Sequence, residues 1–265
     1  MKPSHIEEKN VVFIGAGNVA THLSLAMKNA GFSIRQIFSR SENSAKSLAE
    51  KLNCNYTTDV KEILPDADIY LFSLKDDVLQ DIVASVPPNN GLWIHTAGSI
   101  PMDLFRGYAE YYGVIYPMQT LSKQRHTNFF KVPLFIEGNT KNNEDKIYDI
   151  AQMLSGSVTH MASDKRRHLH LAAVFACNFS NHMYSLAAKI LEEQDIDWHI
   201  LQPLIDETAN KLYSMSPGNA QTGPAVRYDR HVIERHLSML KDEDTRKLYL
   251  MISENIHARN VTNKK

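Results

Sequence analysis

The chain has 265 residues, a formal net charge of −1, 43% hydrophobic residues and 22% charged ones. That length exceeds one average domain and leaves room for two cores, while the ordinary composition excludes a disordered or fibrous chain. A balance so close to neutral provides no long-range field for nucleic acid or an anionic bilayer, so a charged ligand must be met by local groups, and the chemistry points to a small molecule.

The two cysteines, Cys54 and Cys177, stand far apart with no metal-ligand spacing, as in a reducing compartment without a disulfide framework. Residues 1–10 hold no apolar signal core, and no run approaches the roughly 18 apolar residues that span a bilayer. The expectation is a cytoplasmic chain that binds no metal, membrane or nucleic acid.

The organised part opens with Val11-Val12-Phe13-Ile14-Gly15-Ala16-Gly17-Asn18-Val19-Ala20, an apolar strand running into a glycine turn and then a helix. Gly15 permits the tight turn, Gly17 lets backbone approach a pyrophosphate without a Cβ in the way, and Ala20 allows close packing of helix on strand. Helical spacing over residues 21–30 ends at Gly31. The helix therefore aims its N–H groups and positive end at a phosphate, with Gly15, Ala16, Gly17, Asn18 and Val19 around it. Residues 33–38 predict a second strand. At its end Ser39-Arg40-Ser41 stands where an NAD site places a carboxylate for the ribose 2′-hydroxyl. A guanidinium between two hydroxyls welcomes a 2′-phosphate, so NADP(H) is the expected cofactor; the plainer reading is a solvated loop arginine.

Strand and helix keep alternating. Residues 67–74 form a near-continuous apolar run, as a parallel strand buried on both faces requires. Ser73 and Leu74 close that run and Lys75 begins the next loop; all three are expected beside the cofactor, although Lys75 reads equally well as part of a solvated charge run. A strand over residues 92–96 ends in Thr96, Ala97 and Gly98, small groups that leave the cofactor space. His95 is either a packed strand histidine or a polar group near a nicotinamide. A strand over 113–116 delivers Met118 and Gln119 toward a substrate, and strands over 133–138 and 157–159 flank a helix over 145–154. The whole is of the α/β class, a doubly wound sheet.

After Ala162 the strand signals stop. Residues 164–193 read as one helix, about 45 Å long at 1.5 Å per residue and too long for one small domain to cover. Its segment Leu171-Ala172-Ala173-Val174-Phe175-Ala176-Cys177 is apolar all round, which predicts burial between domains or subunits, and hence a homodimer. His170, Val174, Asn178 and Asn181 follow at steps of four, four and three on one stripe, where polar groups need partners. Further on, Thr222, Arg227 and Asp229 either face a ligand or belong to a loop with Asp229 as helix N-cap. The expected domains are residues 1–162, binding the cofactor, and the all-helical residues 163–265, serving substrate and dimerisation.

Laid end to end, the motifs Gly15-Ala16-Gly17-Asn18-Val19-Ala20, Phe38-Ser39-Arg40-Ser41, His95-Thr96-Ala97-Gly98-Ser99, Tyr116-Pro117-Met118-Gln119, the run from His170 to Asn178 and Thr222-Gly223-Pro224 resemble one family. It comprises the Rossmann-like proteins of the pyrroline-5-carboxylate reductase and 6-phosphogluconate dehydrogenase group that carry a second domain of unknown function. The resemblance spans nearly the whole chain and implies an NADP-dependent oxidoreductase acting as a homodimer. Two departures stand out. Hydroxyacid dehydrogenases of the wider group carry a lysine with an asparagine one turn later, where this chain has His170 and Asn178 two turns apart. Tyr116 takes the place of the histidine in the His-Pro-Met of prephenate dehydrogenases.

The reading that joins these parts is hydride transfer between NADPH and a small imine or carbonyl compound at the domain junction. His170 is the general acid, Asn178 orients the substrate, and Met118, Gln119, Asn181, Thr222 and Arg227 contact it, Thr222 or Arg227 taking a carboxylate. His170 reads equally as a core histidine satisfied by a backbone carbonyl. The alternative function is a non-catalytic NADP(H)-binding sensor or scaffold whose helical half grips a partner protein.

Overall fold

The computed structural model describes residues 9–262; residues 1–8, most of the stretch in which the sequence shows no apolar signal core, lie outside them. Eight strands form one sheet in the order β3-β2-β1-β4-β5-β6-β7-β8. They are β1 Asn10–Ile14, β2 Ser33–Phe38, β3 Asn55–Thr57, β4 Ile69–Phe72, β5 Leu92–His95, β6 Tyr112–Pro117, β7 Leu134–Gly138 and β8 Val158–His160. The first six run parallel; β7 runs antiparallel to β6, and β8 is parallel to β7.

The apolar runs form strands because both faces of this sheet are covered. Val11 and Phe13 of β1 pack into one core with Leu23, Met27, Leu48 and Ile150, whereas Val12 and Ile14 pack into a second with Phe72, Trp93 and Phe105. This is the two-residue alternation of a strand with an apolar layer on each side. The helices α1 Asn18–Asn29, α2 Glu42–Leu52, α3 Asp76–Ser85 and α4 Lys141–Leu154 supply those layers. Each buried Leu, Ile or Phe removed from water contributes about 1.5–3 kcal/mol against chain entropy. Order 3-2-1-4-5-6 places a change of winding direction between β1 and β4, and the crevice beyond the carboxyl ends of the strands there is where such sheets hold ligands. The expected α/β architecture, a Rossmann-type doubly wound sheet followed by helices, is the one observed.

The remaining helices are α5 Ser163–Ala173, α6 Ser180–Glu192, α7 Gln202–Asn210, α8 Pro217–Ala220, α9 Pro224–Arg227, α10 Arg230–Met239 and α11 Glu243–Thr262. The chain divides into two compact units, Met1–Asn178 and Phe179–Lys265. The division falls later than residue 162 because α5 is fastened to the sheet. Arg166 is wholly buried, and its guanidinium donates to Glu137 Oε2 at 2.7 Å and to the Ile100 carbonyl at 2.8 Å.

The single long helix expected over residues 164–193 is interrupted by a π turn at Val174–Phe179. A widened turn of that kind carries i→i+5 bonds, so the stripe of His170, Val174, Asn178 and Asn181 does not persist through it. Nor does the single chain bury the apolar segment on every side: Leu171 is 56% and Phe175 64% exposed.

In the second unit, α9 packs on α11, and Ala225 of α9, Ile233 of α10 and Ser253 of α11 are buried. His257 Nδ1 and Asn260 Nδ2 both reach the Val226 carbonyl. Asp229 caps α10, its Oδ1 accepting from the Val232 amide at 3.3 Å. Among the described residues, no helix is long and apolar enough to cross a membrane.

Candidate active site

The turn from β1 to α1 is held by backbone. Gly15 adopts φ +116°, a conformation that favours glycine, and its amide donates to the Phe38 carbonyl at 2.8 Å. A Cβ on Gly15 would lie 2.1 Å from the Ser73 carbonyl oxygen, so a side chain there collides with the neighbouring strand end. Gly17 differs: a Cβ added to it meets no protein atom within 4 Å. The fold does not need Gly17 to be small, but a group drawn up to the backbone does. Gly17 is the N-cap of α1 with no side chain capping the helix, which leaves the first-turn N–H groups directed at whatever lies in front. Thr21 donates to the Gly17 carbonyl at 2.8 Å and fixes the turn from behind, where Ala20 is fully buried.

A cavity of about 1010 Å³ opens in front of this turn, lined entirely from the first unit. Of the residues expected beside the cofactor, Gly17, Asn18, Val19, Ser73, Leu74, Lys75, Thr96, Ala97 and Gly98 line it, and so do Met118, Gln119, His170 and Asn178. Gly15 and Ala16 form the turn behind the lining. Ser39, Arg40 and Ser41 sit at the end of β2, whose Phe38 pairs with Ile14, and are likewise not part of the cavity wall. Arg40 is exposed there. Ser41 caps α2 by accepting from the Ser44 amide, and Ser39 Oγ accepts from the Ser41 amide. Asn181, Thr222 and Arg227 belong to the second unit and are exposed on it.

Another part of the lining is built by side chains. Tyr116 closes β6, and its hydroxyl lies 3.0 Å from His170 Nδ1 with the two rings edge to face. Gly98 lies under them, where a Cβ would come within 2.7 Å of His170 Nδ1 and 2.9 Å of the Tyr116 ring. The reversed strand explains how His170 arrives. Because β7 and β8 run against the other strands, the chain leaves β8 at the far end of the sheet, and α5 must climb back alongside β6. Arg166 grips Glu137, which pairs with Val114; Tyr116 lies two residues above Val114, or about 6.6 Å, and His170 one helical turn above Arg166, about 6 Å. The two rises match, so the ion pair sets the height at which His170 meets Tyr116. Ser163 completes the grip, its amide and hydroxyl donating to Glu137 at 3.0 and 2.6 Å.

Burial pushes the Tyr116 phenol above its usual ionisation range, with the Arg166 charge acting against this and Cys177 with it. His95 resolves to the packed alternative. It is fully buried against Phe105, and its Nδ1 accepts from the Ala97 amide at 3.2 Å. Burial drives its imidazole down to about 3, Arg166 adding in the same direction and the Pro101 carbonyl opposing. Proximity to that carbonyl amounts to no hydrogen bond of good geometry, since Nε2 has no partner among the described residues. Lys75 is exposed at the N-cap of α3, and Thr96 Oγ1 donates to Ser73 Oγ at 3.2 Å. The residues missed by the sequence reading are Tyr116, Arg166 and Glu137. Tyr116 had a signal in the Pro-Met that follows it. Arg166, within Lys165-Arg166-Arg167, looks like one more solvated cation.

A doubly wound sheet with an open glycine corner at a cavity defines a dinucleotide-binding protein. The cradle fits the pyrophosphate of such a coenzyme, since Gly17 is open and its helix end uncapped. Residues 10–94 match the family described as NADP oxidoreductase, coenzyme F420-dependent, and residues 132–256 match a domain of unknown function, DUF2520. A Bacteroides fragilis protein provisionally assigned as an NADP oxidoreductase is 47% identical, with a TM-score of 0.90 over 96% of this chain and 100% of its own. The chain therefore belongs to this family of NADP oxidoreductases, with NADP(H) as its cofactor. The fold is shared with a pyrroline-5-carboxylate reductase of Streptococcus pyogenes, at 14% identity and TM-score 0.61 over 94% of this chain and 98% of that one. It is shared also with an imine reductase of Myxococcus stipitatus in complex with NADP+, at 16% identity and TM-score 0.62 over 94% and 92%. Among curated proteins none matches the chain.

Proposed function

We propose that the chain is an NADPH-dependent reductase of a small imine or carbonyl compound. The observation that carries this reading is that the open glycine turn and His170 line one cavity. Its volume leaves space for a small molecule beside a nicotinamide. The imine class follows the names of the reductases that share the fold, and a carbonyl carbon accepts hydride in the same way.

In this reading residues 1–162 serve the coenzyme, and residues 163–265 serve the substrate and a second copy of the chain, with the reaction at their junction. NADPH, when bound, supplies the hydride. Gly15, Ala16, Gly17, Asn18 and Val19 take its pyrophosphate, and Ser39, Arg40 and Ser41 its 2′-phosphate. Ser73, Leu74, Lys75, Thr96, Ala97 and Gly98 flank the rest. His170 is the proton source, an imidazole ring nitrogen being able to carry and release a proton. Asn178, Met118 and Gln119, which line the cavity, orient the substrate. The apolar side chains Ile200, 69% exposed, and Leu204, 63%, are the kind a second copy covers, which supports a homodimer. Two cysteines outside any disulfide fit a cytoplasmic setting.

Calorimetric titration with NADPH and NADH, followed by a screen of imines and 2-oxo acids for oxidation of the bound coenzyme, tests the reading. NADPH should bind at least about tenfold more tightly, as expected where a guanidinium meets a 2′-phosphate; tighter binding of NADH overturns the role given to Arg40. His170→Gln should keep NADPH affinity and lower turnover by at least about tenfold.

A further inference from the structure

We propose that Tyr116 is the group that hands the proton to the substrate, with His170 as the relay that refills it through the hydrogen bond between Tyr116 Oη and His170 Nδ1. This deepens the reductase reading and rests on it.

Several features of the cavity converge on the pair. Both side chains line it, in the same cavity as the glycine turn. They are 3.0 Å apart and packed edge to face, so the contact is directional. Gly98 contributes no side chain at the one place where a Cβ would push the imidazole off the phenol. Arg166, one turn before His170, is locked to Glu137 and Ile100 and cannot shift without breaking a buried ion pair. So much positioning of an imidazole against a phenol exceeds what packing requires.

The proton balance is simple. As hydride adds to the carbon of a C=N or C=O bond, the nitrogen or oxygen takes the proton of the Tyr116 hydroxyl. The Tyr116 oxygen takes the Nδ1 proton of His170; His170, half-buried, takes one at Nε2 from solvent, and proton exchange with water then returns the ring to its Nδ1–H tautomer. The net consumption is one hydride from NADPH and one proton from water. The charged and titratable groups facing the phenol are His170 and Arg166 from α5 and Cys177 from the π turn after it. Burial keeps the phenol protonated and so able to donate, while the Arg166 charge favours the phenolate as it forms.

The test uses the full chain, as wild type, Tyr116→Phe and His170→Gln. In single turnovers of NADPH with the best substrate of the imine and 2-oxo acid screen, Tyr116→Phe should slow the rate by about 100-fold or more, as expected on losing a general acid. Its NADPH affinity and KM should stay within about twofold, and its solvent deuterium isotope effect should disappear. Restoring the hydroxyl as 3-fluorotyrosine should recover the rate. A spectrophotometric titration of the tyrosines, run without cofactor, gives a second reading: His170→Gln should move the phenol that is missing from Tyr116→Phe. A Tyr116→Phe rate within about threefold of wild type, or a phenol indifferent to His170→Gln, overturns the proposal and leaves the reductase reading standing. A wild type that oxidises NADPH with no imine or 2-oxo acid overturns both.

Discussion

The two walls of the cavity are made in opposite ways. The glycine wall consists of backbone and vacancy: a left-handed turn at Gly15, an open Cβ position at Gly17, an uncapped helix end. The tyrosine wall consists of side chains held by other side chains, with Arg166 and Glu137 beneath His170 and Tyr116. A wall built from local backbone geometry tolerates distant change, whereas one built from a buried ion pair depends on contacts with residues 29 and 66 positions away in sequence.

The sharpest way to break the contrast is Arg166→Met. Removing one partner of a buried pair leaves Glu137 with an uncompensated charge and should cost about 3–5 kcal/mol in chemical denaturation. Turnover should fall as well, because α5 loses its register on β6, while NADPH binding at the glycine wall should survive in the folded fraction.

The glycine wall is tested by two substitutions that look alike and should behave differently. Gly15→Ala forces a Cβ into the Ser73 carbonyl at an unfavourable φ and should cost about 3 kcal/mol of stability. Gly17→Ala should leave the denaturation midpoint unchanged and weaken NADPH binding by about tenfold or more, since its methyl fills the space a pyrophosphate needs. Equal stability losses in the two variants would show that Gly17 serves the fold.

A further effect belongs to pH. His95 in the folded chain titrates near 3, below the ordinary 6.5 that the unfolded chain keeps. Acid therefore drives protons onto the unfolded form, so stability is fully present above about pH 6.5 and is lost as pH falls toward 3, by at most about 1.4 kcal/mol per pH unit. His95→Asn keeps an acceptor for the Ala97 amide and should flatten that slope between pH 6 and pH 4, measured by denaturation at each pH.

The same contrast explains what could be read without a structure. Gly15, Gly17 and Ala20 were legible because a strand, a turn and a helix within ten residues fix one another. The doubly wound sheet was legible from alternation, although the order of its strands was not read. Arg166 was illegible: it looks like Lys165 and Arg167 until the pitch of α5 turns it inward, and nothing local marks Glu137 as its partner. Tyr116 could be noticed as an unusual neighbour of Pro-Met, yet its contact with His170 crosses 54 residues. The division at Asn178 escaped for the same reason, being set by how firmly α5 is tied to β7. The π turn also left no periodicity to detect, because one widened turn shifts the pattern without erasing its apolar content.

Of the two thiols, Cys54 is pushed up to about 11 by burial against the pull of Lys28, whereas Cys177 lies exposed on the cavity wall. At neutral pH an alkylating dye should accordingly mark only Cys177, because only a thiolate attacks and Cys54 scarcely forms one. The natural chain thus comes with its own single-point reporter: the speed of labelling gauges how full the cavity is, with no engineered handle to disturb it.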